Sequence, residues 1–287
     1  MLERDYAPKI AEILYHYCSA ETFLAICTGK KLRFSDINSM NDSHEMKWGY
    51  SIWEEAATQL HAEVGVGVEF LDEVDGIIHA SSARGLALAS CFSKAGDLLS
   101  QWRAYGDNGH GYAIGFDSTL LREMASLPLE ILYNREQQIY EVKNAVQKIY
   151  NIKKAQNQSQ ESDFQLACFQ LYIKIAALKN PAFQEENEVR LIHMLETKAS
   201  NQSAILVDVG GTAFGQEIAA SRISFSMRDN CPAAYIDLSF ECGKFTTPIK
   251  EVILGPKNQS IPFGVSIFLE TIGLPSVVIK QSQVPYR

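Results

Sequence analysis

The run Leu86-Ala87-Leu88-Ala89-Ser90-Cys91-Phe92 is apolar but for one serine and has the length of a strand. Such a run, without polar alternation, belongs in the middle of a sheet and is covered on both faces. Shortly after it comes Leu98-Leu99-Ser100-Gln101-Trp102-Arg103-Ala104-Tyr105-Gly106-Asp107-Asn108-Gly109-His110-Gly111-Tyr112-Ala113-Ile114-Gly115-Phe116. This stretch crowds a Trp, an Arg, two Tyr, a His and four Gly between two apolar segments. Aromatic rings gathered in a short polar connection suit a planar ligand. The stretch reads as one wall of a site, with Tyr15-His16-Tyr17 and Glu188-Val189-Arg190 as the others.

On the N-terminal side, Glu12 to Tyr17 reads as a short strand. Ser19 is placed to cap a helix, with Glu21 in its first turn, where the helix dipole favours an anion, and Gly29 at its end. Lys31 to Ser35 alternates like a half-buried strand. Asn41 to Glu45 is a polar turn, in which Asp42 and Glu45 have the spacing of a capping pair. Two amphipathic helices follow, one with Met46, Tyr50, Trp53, Ala57 and Leu60 on a stripe, the other spanning about Val68 to Ser82.

On the C-terminal side, Tyr112 to Phe116 is a strand, Asp117 caps a short helix, and Leu129 to Tyr133 is a further strand. Helices are expected over about 136–154 and 163–179, joined by the polar segment 155–162 and stopped at Asn180-Pro181. The last third is strand-rich: Asn187 to Leu195, Ile205 to Val209, Ile223 to Met227, Ala234 to Phe240, Ile249 to Leu254 and Ser276 to Ile279, with a short helix over Phe263 to Ile272. Helices mixed with strands, then a run of strands, predict an α+β fold around a mixed or antiparallel sheet. It is read as a single domain over 1–287, with 136–179 as a helical insertion or lid.

Composition limits the partners. The 287 residues are 46% hydrophobic and 21% charged, enough for a sizeable core. A net charge of -8 gives no general attraction to phosphate backbones, so bulk nucleic-acid binding is not expected. The six cysteines form no C-x-x-C pair and show no zinc-ligand spacing. The N-terminus lacks a signal-peptide core and no apolar run reaches the ~20 residues of a bilayer span. A cytoplasmic protein with reduced thiols and no membrane partner is expected.

Three sets of residues are candidates for chemistry, each with a plainer alternative. His16 shares its strand face with Leu14 and opposes Tyr15 and Tyr17. It either orients a hydroxyl or is a core histidine bonded to a backbone carbonyl. Glu188, Arg190 and Ile192 share one face of their strand. The two charged groups form a fixed pair or line a pocket, or else Glu188 is a strand-entry carboxylate in water. Trp102, Arg103 and Tyr105 either stack on a ring or pin their loop to the core through Trp102. Gly106, Gly109 and Gly111 precede a strand, whereas a dinucleotide fingerprint follows one. Asp208-Val209-Gly210-Gly211-Thr212 is similar to a sugar-kinase phosphate loop, but too little chain follows to build both lobes of that fold.

Taken in order, several motifs resemble a bacterial family of unknown function, DUF2971. They are Leu14-Tyr15-His16-Tyr17-Cys18-Ser19, Leu32-Arg33-Phe34-Ser35, Met40 to Glu45, Ser90-Cys91-Phe92-Ser93, Gln101 to Gly106 and Gly111 to Phe116. Later come Glu186 to Ile192, Tyr235-Ile236-Asp237-Leu238 and Ile249 to Pro256. Cys18 departs from the pattern, which more often has Thr there. The opening strand is in turn similar to that of ADP-ribosyltransferase-like proteins, including those acting on nucleic acid. That likeness implies a split sheet and NAD as substrate, with no metal. A His or Arg of the first strand would hold the ribose, an aromatic or Ser of a middle strand would shape the nicotinamide pocket, and a late Glu would act on the transfer. Carried over, Glu188, His16 and Tyr105 are the catalytic candidates. His16, Tyr17, Ser93, Trp102, Arg190 and Arg228 are the nucleotide-binding ones, with Arg190 or Arg228 on the pyrophosphate. The implied activity is NAD-dependent ADP-ribosyl transfer or NAD hydrolysis, as in a bacterial toxin or anti-phage effector, with the acceptor unspecified. The alternative is a non-catalytic protein that binds a nucleotide or a partner.

Overall fold

A computed structural model describes residues 3–39, 45–155, 161–228, 230–241 and 247–286. Its strands are β1 (Ile13–Cys18), β2 (Lys31–Asp36), β3 (Gly85–Ser93), β4 (Tyr112–Asp117), β5 (Leu127–Glu130), β6 (Glu188–Ala199), β7 (Ala204–Val207), β8 (Gly211–Ala213), β9 (Gln216–Ile218), β10 (Ser224–Arg228), β11 (Cys231–Ser239), β12 (Ile249–Leu254) and β13 (Val278–Gln281). Its helices are α1 (Ala20–Gly29), α2 (Glu45–Val64), α3 (Val68–Arg84), α4 (Leu99–Ala104), α5 (Ser118–Arg122), α6 (Arg135–Ala155), α7 (Glu161–Ile175) and α8 (Pro262–Thr271). The fold is α+β. Eleven strands form one sheet, antiparallel at every strand pairing except β12 with β13, and β8 and β9 form a separate hairpin.

Strand β3 is the hub. One edge pairs with β6 over its whole length, from Gly85↔Glu196 to Ser93↔Glu188. The other edge is shared. Its early part pairs with β2 at Ser35↔Ala89 and Asp36↔Leu88, and its end pairs with β1 at Tyr15↔Ser93. Between Ala89 and Ser93 the two neighbours have parted. β1 goes on to β4 and β12, while β2 goes on to β11 and β10. The sheet is therefore split.

Alternation along the strands sends two cores to opposite faces. Leu88 and Phe92 of β3 join Leu14, Phe34, Ile114, Val189, Leu191 and Ile236 under α1 and α8. Ala87 and Ala89 face the other way, towards Leu129, Tyr133, Ala176 and Ile192. A further cluster binds α2, α3, α6 and α7 through residues such as Trp53, Val74, Val142 and Leu171. The two helices expected as an insertion thus pack on two earlier helices, and among the described residues of 136–179 only Lys179 lines the main cavity.

Local signals explain several boundaries. Ser19 caps α1 by accepting from Thr22 N at 3.3 Å, and Asp117 caps α5 by accepting from Thr119 N and Leu120 N. The stop of α1 falls one residue later than expected, on Lys30 in the left-handed region. Helix α7 ends at Ile175 rather than near Lys179, and β5 ends at Glu130 rather than Tyr133. The expected turn and capping pair from Asn41 lie largely outside the described residues, as does 156–160 of the polar segment. Gly210 and Gly211 lead into the hairpin β8–β9, which answers for the apparent phosphate loop. None of the described helices is long and apolar enough to cross a membrane.

The stretch expected as a loop contains the helix α4. Trp102 is fully buried, its indole N–H donates to Asp97 at 2.7 Å, and its ring meets Tyr17 edge-on at 4.8 Å. Gly106 follows against that ring, and a Cβ at Gly111 would run into Cys18 O. Trp102→Ala is therefore expected to destabilise the protein by about 3–5 kcal/mol in urea unfolding. Trp102→Phe, which keeps a ring but frees Asp97, should lose about 1 kcal/mol.

Candidate functional site

A cavity of about 800 Å³ opens where β1 and β2 leave β3, within the range of small-molecule sites. His16, Tyr17, Ser93, Tyr105, Glu188, Arg190 and Arg228 all line it. These residues come from four strands, β1, β3, β6 and β10, and from the segment just after α4, are separated by up to 212 positions, and are brought together by the sheet topology. Trp102 is not among the lining residues. Its expected role in holding a ring is corrected: it is the pin of its loop, because its one polar atom is engaged by Asp97 and its faces are covered.

His16 is held through Nδ1, 2.9 Å from Cys91 O. A carbonyl only accepts, so Nδ1 carries the proton and Nε2 presents a lone pair. Burial lowers its pKa, against a smaller upward pull from the Cys91 carbonyl, so the ring is neutral near pH 7. The plainer reading of His16 holds, since it is bonded to a backbone carbonyl, and the residue also lines the cavity.

Glu188 is 5% exposed. Arg190 grips it in a fork, Nε to Oε1 at 2.6 Å and Nη2 to Oε2 at 3.0 Å, and Lys179 Nζ reaches Oε2 at 3.0 Å. Burial alone would raise its pKa, but Arg190 and Lys179 outweigh it and hold the carboxyl well below the usual range. The Cys91 thiol supplies one more hydrogen bond. Arg190 is 1% exposed and also donates to Ala176 O at 3.1 Å. Its guanidinium is committed to the pair, which removes it from the expected pyrophosphate role. Arg228, exposed on β10, keeps that placement open.

Ser93 is 3% exposed; it donates to Glu186 O at 2.7 Å and accepts from Ala95 N. It thus holds the turn that leads into β6. The Tyr17 hydroxyl donates to Ala95 O and accepts from Leu98 N, so it ties the same region to β1. Tyr105 donates to Glu186 Oε1 at 2.9 Å. Burial and the neighbouring Glu186 push its pKa far up, so it stays a phenol.

Two residues of the site escaped the sequence reading. Lys179 bridges Glu186 and Glu188. Glu186, two residues before Glu188, keeps a raised pKa because burial and the Glu188 charge together exceed the pull of Lys179. The cavity therefore holds two unlike carboxyls, one firmly anionic and one inclined to take a proton. The spacing Glu186-Asn187-Glu188 was the signal available for the first. Lys179 carried none, since its placement depends on the chain's return from α7.

Comparisons agree with this chain's local pattern over a limited stretch. The family model of a protein of unknown function, DUF2971, matches residues 101–191, from α4 to the start of β6. That span carries Tyr105, Lys179, Glu186, Glu188 and Arg190. A search of curated proteins and one of solved structures each found no match.

The depressed pKa of Glu188 has a pH signature. An unfolded glutamate titrates near about 4.3. A carboxyl with a lower folded pKa stabilises the fold above that value and loses the contribution as pH falls through the folded one. Urea midpoints measured downward from about pH 5 are expected to fall more steeply for the wild type than for Glu188→Gln.

Proposed function

We propose that this protein binds NAD in the split-sheet cavity and cleaves its nicotinamide–ribose bond, passing the ADP-ribosyl group to an acceptor. The observation that carries the reading is the convergence of His16, Tyr105 and the Glu186/Glu188 pair on one cavity at the split. The similarity of the opening strand to ADP-ribosyltransferase-like proteins supports it.

In this reading the glycosidic bond breaks with its electron pair passing to the ring nitrogen, which quenches the positive charge of the pyridinium. The ribose C1′ gains oxocarbenium character, and the anionic Glu188 lies where it stabilises that charge. Three of its donors are the cationic groups of Arg190 and Lys179, and the fourth is the Cys91 thiol, the weakest of the set. A ribose hydroxyl displaces the thiol most easily. The acceptor atom then bonds to C1′ and gives its proton to Glu186, whose raised pKa suits a base. Tyr105 and Lys179 keep Glu186 oriented. Arg228 meets the pyrophosphate at the rim.

A second reading, nucleotide binding without turnover, draws on the same carboxylate. Its acceptor positions are all occupied by protein donors, which favours a fixed anchor over a reacting group. Calorimetry with NAD, together with chromatographic assay of released nicotinamide, separates the two. Binding with turnover is expected, and Glu188→Gln should lower turnover about 10²-fold or more with affinity changed little. Binding without release of nicotinamide selects the second reading. Failure of NAD to bind overturns both in their NAD form.

A further inference from the structure

Strand β10 ends the row β10-β11-β2-β3-β1-β4-β12-β13. Its inner edge pairs with β11 in unbroken register, from Ser224↔Tyr235 to Arg228↔Cys231. Among the described residues no strand lies along its outer edge, and its backbone makes no hydrogen bond outside the β11 ladder. A regular open edge is a template for another strand, and native sheets cover it or blunt it. The outer edge of β5 is covered: Tyr6 N donates to Pro128 O at 2.9 Å, and Glu130 N to Arg4 O at 2.8 Å. β10 has neither such a cover nor a bulge nor a proline. Its side chains add two features. Phe225 and Met227 share one face and are 60% and 68% exposed. Arg222, just before the strand, and Arg228, at its end, are exposed, and neither has an ion-pair partner among the described residues. In a chain of net charge -8, this edge is locally of the opposite sign.

We propose that the outer edge of β10 takes up an extended acidic segment of a partner protein as a further strand. The backbone ladder supplies the main attraction, and alternate side chains select the sequence. On one face the segment sets apolar side chains against Phe225 and Met227; at its ends it sets carboxylates against Arg222 and Arg228. A second copy of this chain fits worse. Antiparallel pairing of two β10 strands brings Arg228 of one copy and Arg222 of the other together at each end, like charge against like. A nucleic acid would meet the arginines with phosphates but leave the row of backbone N–H and C=O groups unpaired. Arg228 also lines the main cavity, so a segment held on β10 ends at its rim. That such a segment presents the acceptor rests on the reaction proposed above; the docking does not.

The test uses the whole protein without nucleotide and reads labelled probes by fluorescence anisotropy. The first probe is the capped peptide Glu-Val-Ser-Val-Ser-Val-Glu. The others are the same peptide with Lys for both Glu, the same peptide with its backbone amides N-methylated, and a short oligothymidylate. The Glu peptide is expected to bind at least about tenfold more tightly than each of the others. It should also slow amide exchange within 224–228. Phe225→Ser combined with Met227→Ser should weaken it by about tenfold. Arg222→Glu combined with Arg228→Glu should reverse the preference, so that the Lys peptide binds more tightly than the Glu peptide. No binding of the Glu peptide overturns the proposal, as does equal binding of the Lys or the N-methylated peptide. Tighter binding of oligothymidylate overturns it by assigning the arginines to nucleic acid. A dimer in sedimentation that Phe225→Ser dissociates overturns it by giving the edge to a second copy. If the Glu peptide binds by these rules and NAD does not bind, the docking edge stands and the proposed reaction falls. If NAD is turned over and the peptide does not bind, the reverse holds.

Discussion

A strand of nine residues has two edges, and β3 gives one entirely to β6 while dividing the other between β2 and β1. The division is what makes a cavity possible in the middle of a sheet. Backbone groups at a strand edge need partners. At the split, part of that need is met by a side chain: His16 reaches across to Cys91 O. The same contact that satisfies the backbone fixes the tautomer and orientation of the imidazole. A histidine held this way combines the structural role with an available acceptor, so the two roles do not compete.

The second consequence of the split is electrostatic. Glu188 starts β6 opposite Ser93, and Arg190 lies opposite Cys91, so both project on the face away from the α1 core. Two charges this deeply buried are costly to desolvate, and a bidentate geometry is needed to offset it. Lys179 adds a second cation and so draws in Glu186. The cluster has two carboxyls and two cations. Its formal charge balances while its two carboxyls differ in proton affinity, because only Glu188 is gripped by both cations. Unequal carboxyls side by side are what acid–base chemistry needs, and here they arise from the placement of one arginine.

Much of this arrangement was legible from local patterns. The period-two rule assigned the faces of His16, Glu188 and Arg190, since each lies in a strand whose alternation is undisturbed. The apolar run from Leu86 identified the central strand for the same reason. Trp102 takes the plainer of its two readings, the pin of its loop, but its partner Asp97 sits outside the helix that carries the tryptophan, so no helical or strand spacing could name it. Lys179 was invisible because its neighbours Glu186 and Glu188 are reached through a short 3-10 helix, Pro181–Glu186, none of whose residues is buried, so it carries no apolar pattern that would place it. The short β8–β9 hairpin carried three-residue strands, too brief for alternation to register.

The loop bearing Tyr105 depends on the far end of the chain. Asp97 accepts from Trp102 Nε1, from Ser282 Oγ at 2.6 Å and from Gln283 N at 2.7 Å. Tyr286 donates to Asn108, and its ring is covered by Lys257 Nζ at 3.8 Å and faced by Arg103. The residues after β13 therefore lie along the outside of the segment 97–109, whose inner side supplies Gln101, Ala104 and Tyr105 to the cavity. A carboxylate with three donors from two distant segments fixes their separation more firmly than any one contact does. The short helix α4 has too few residues to be stable by itself. It is held between Tyr17 on β1 and this C-terminal stretch, and Tyr105 keeps its reach to Glu186 because both supports are in place.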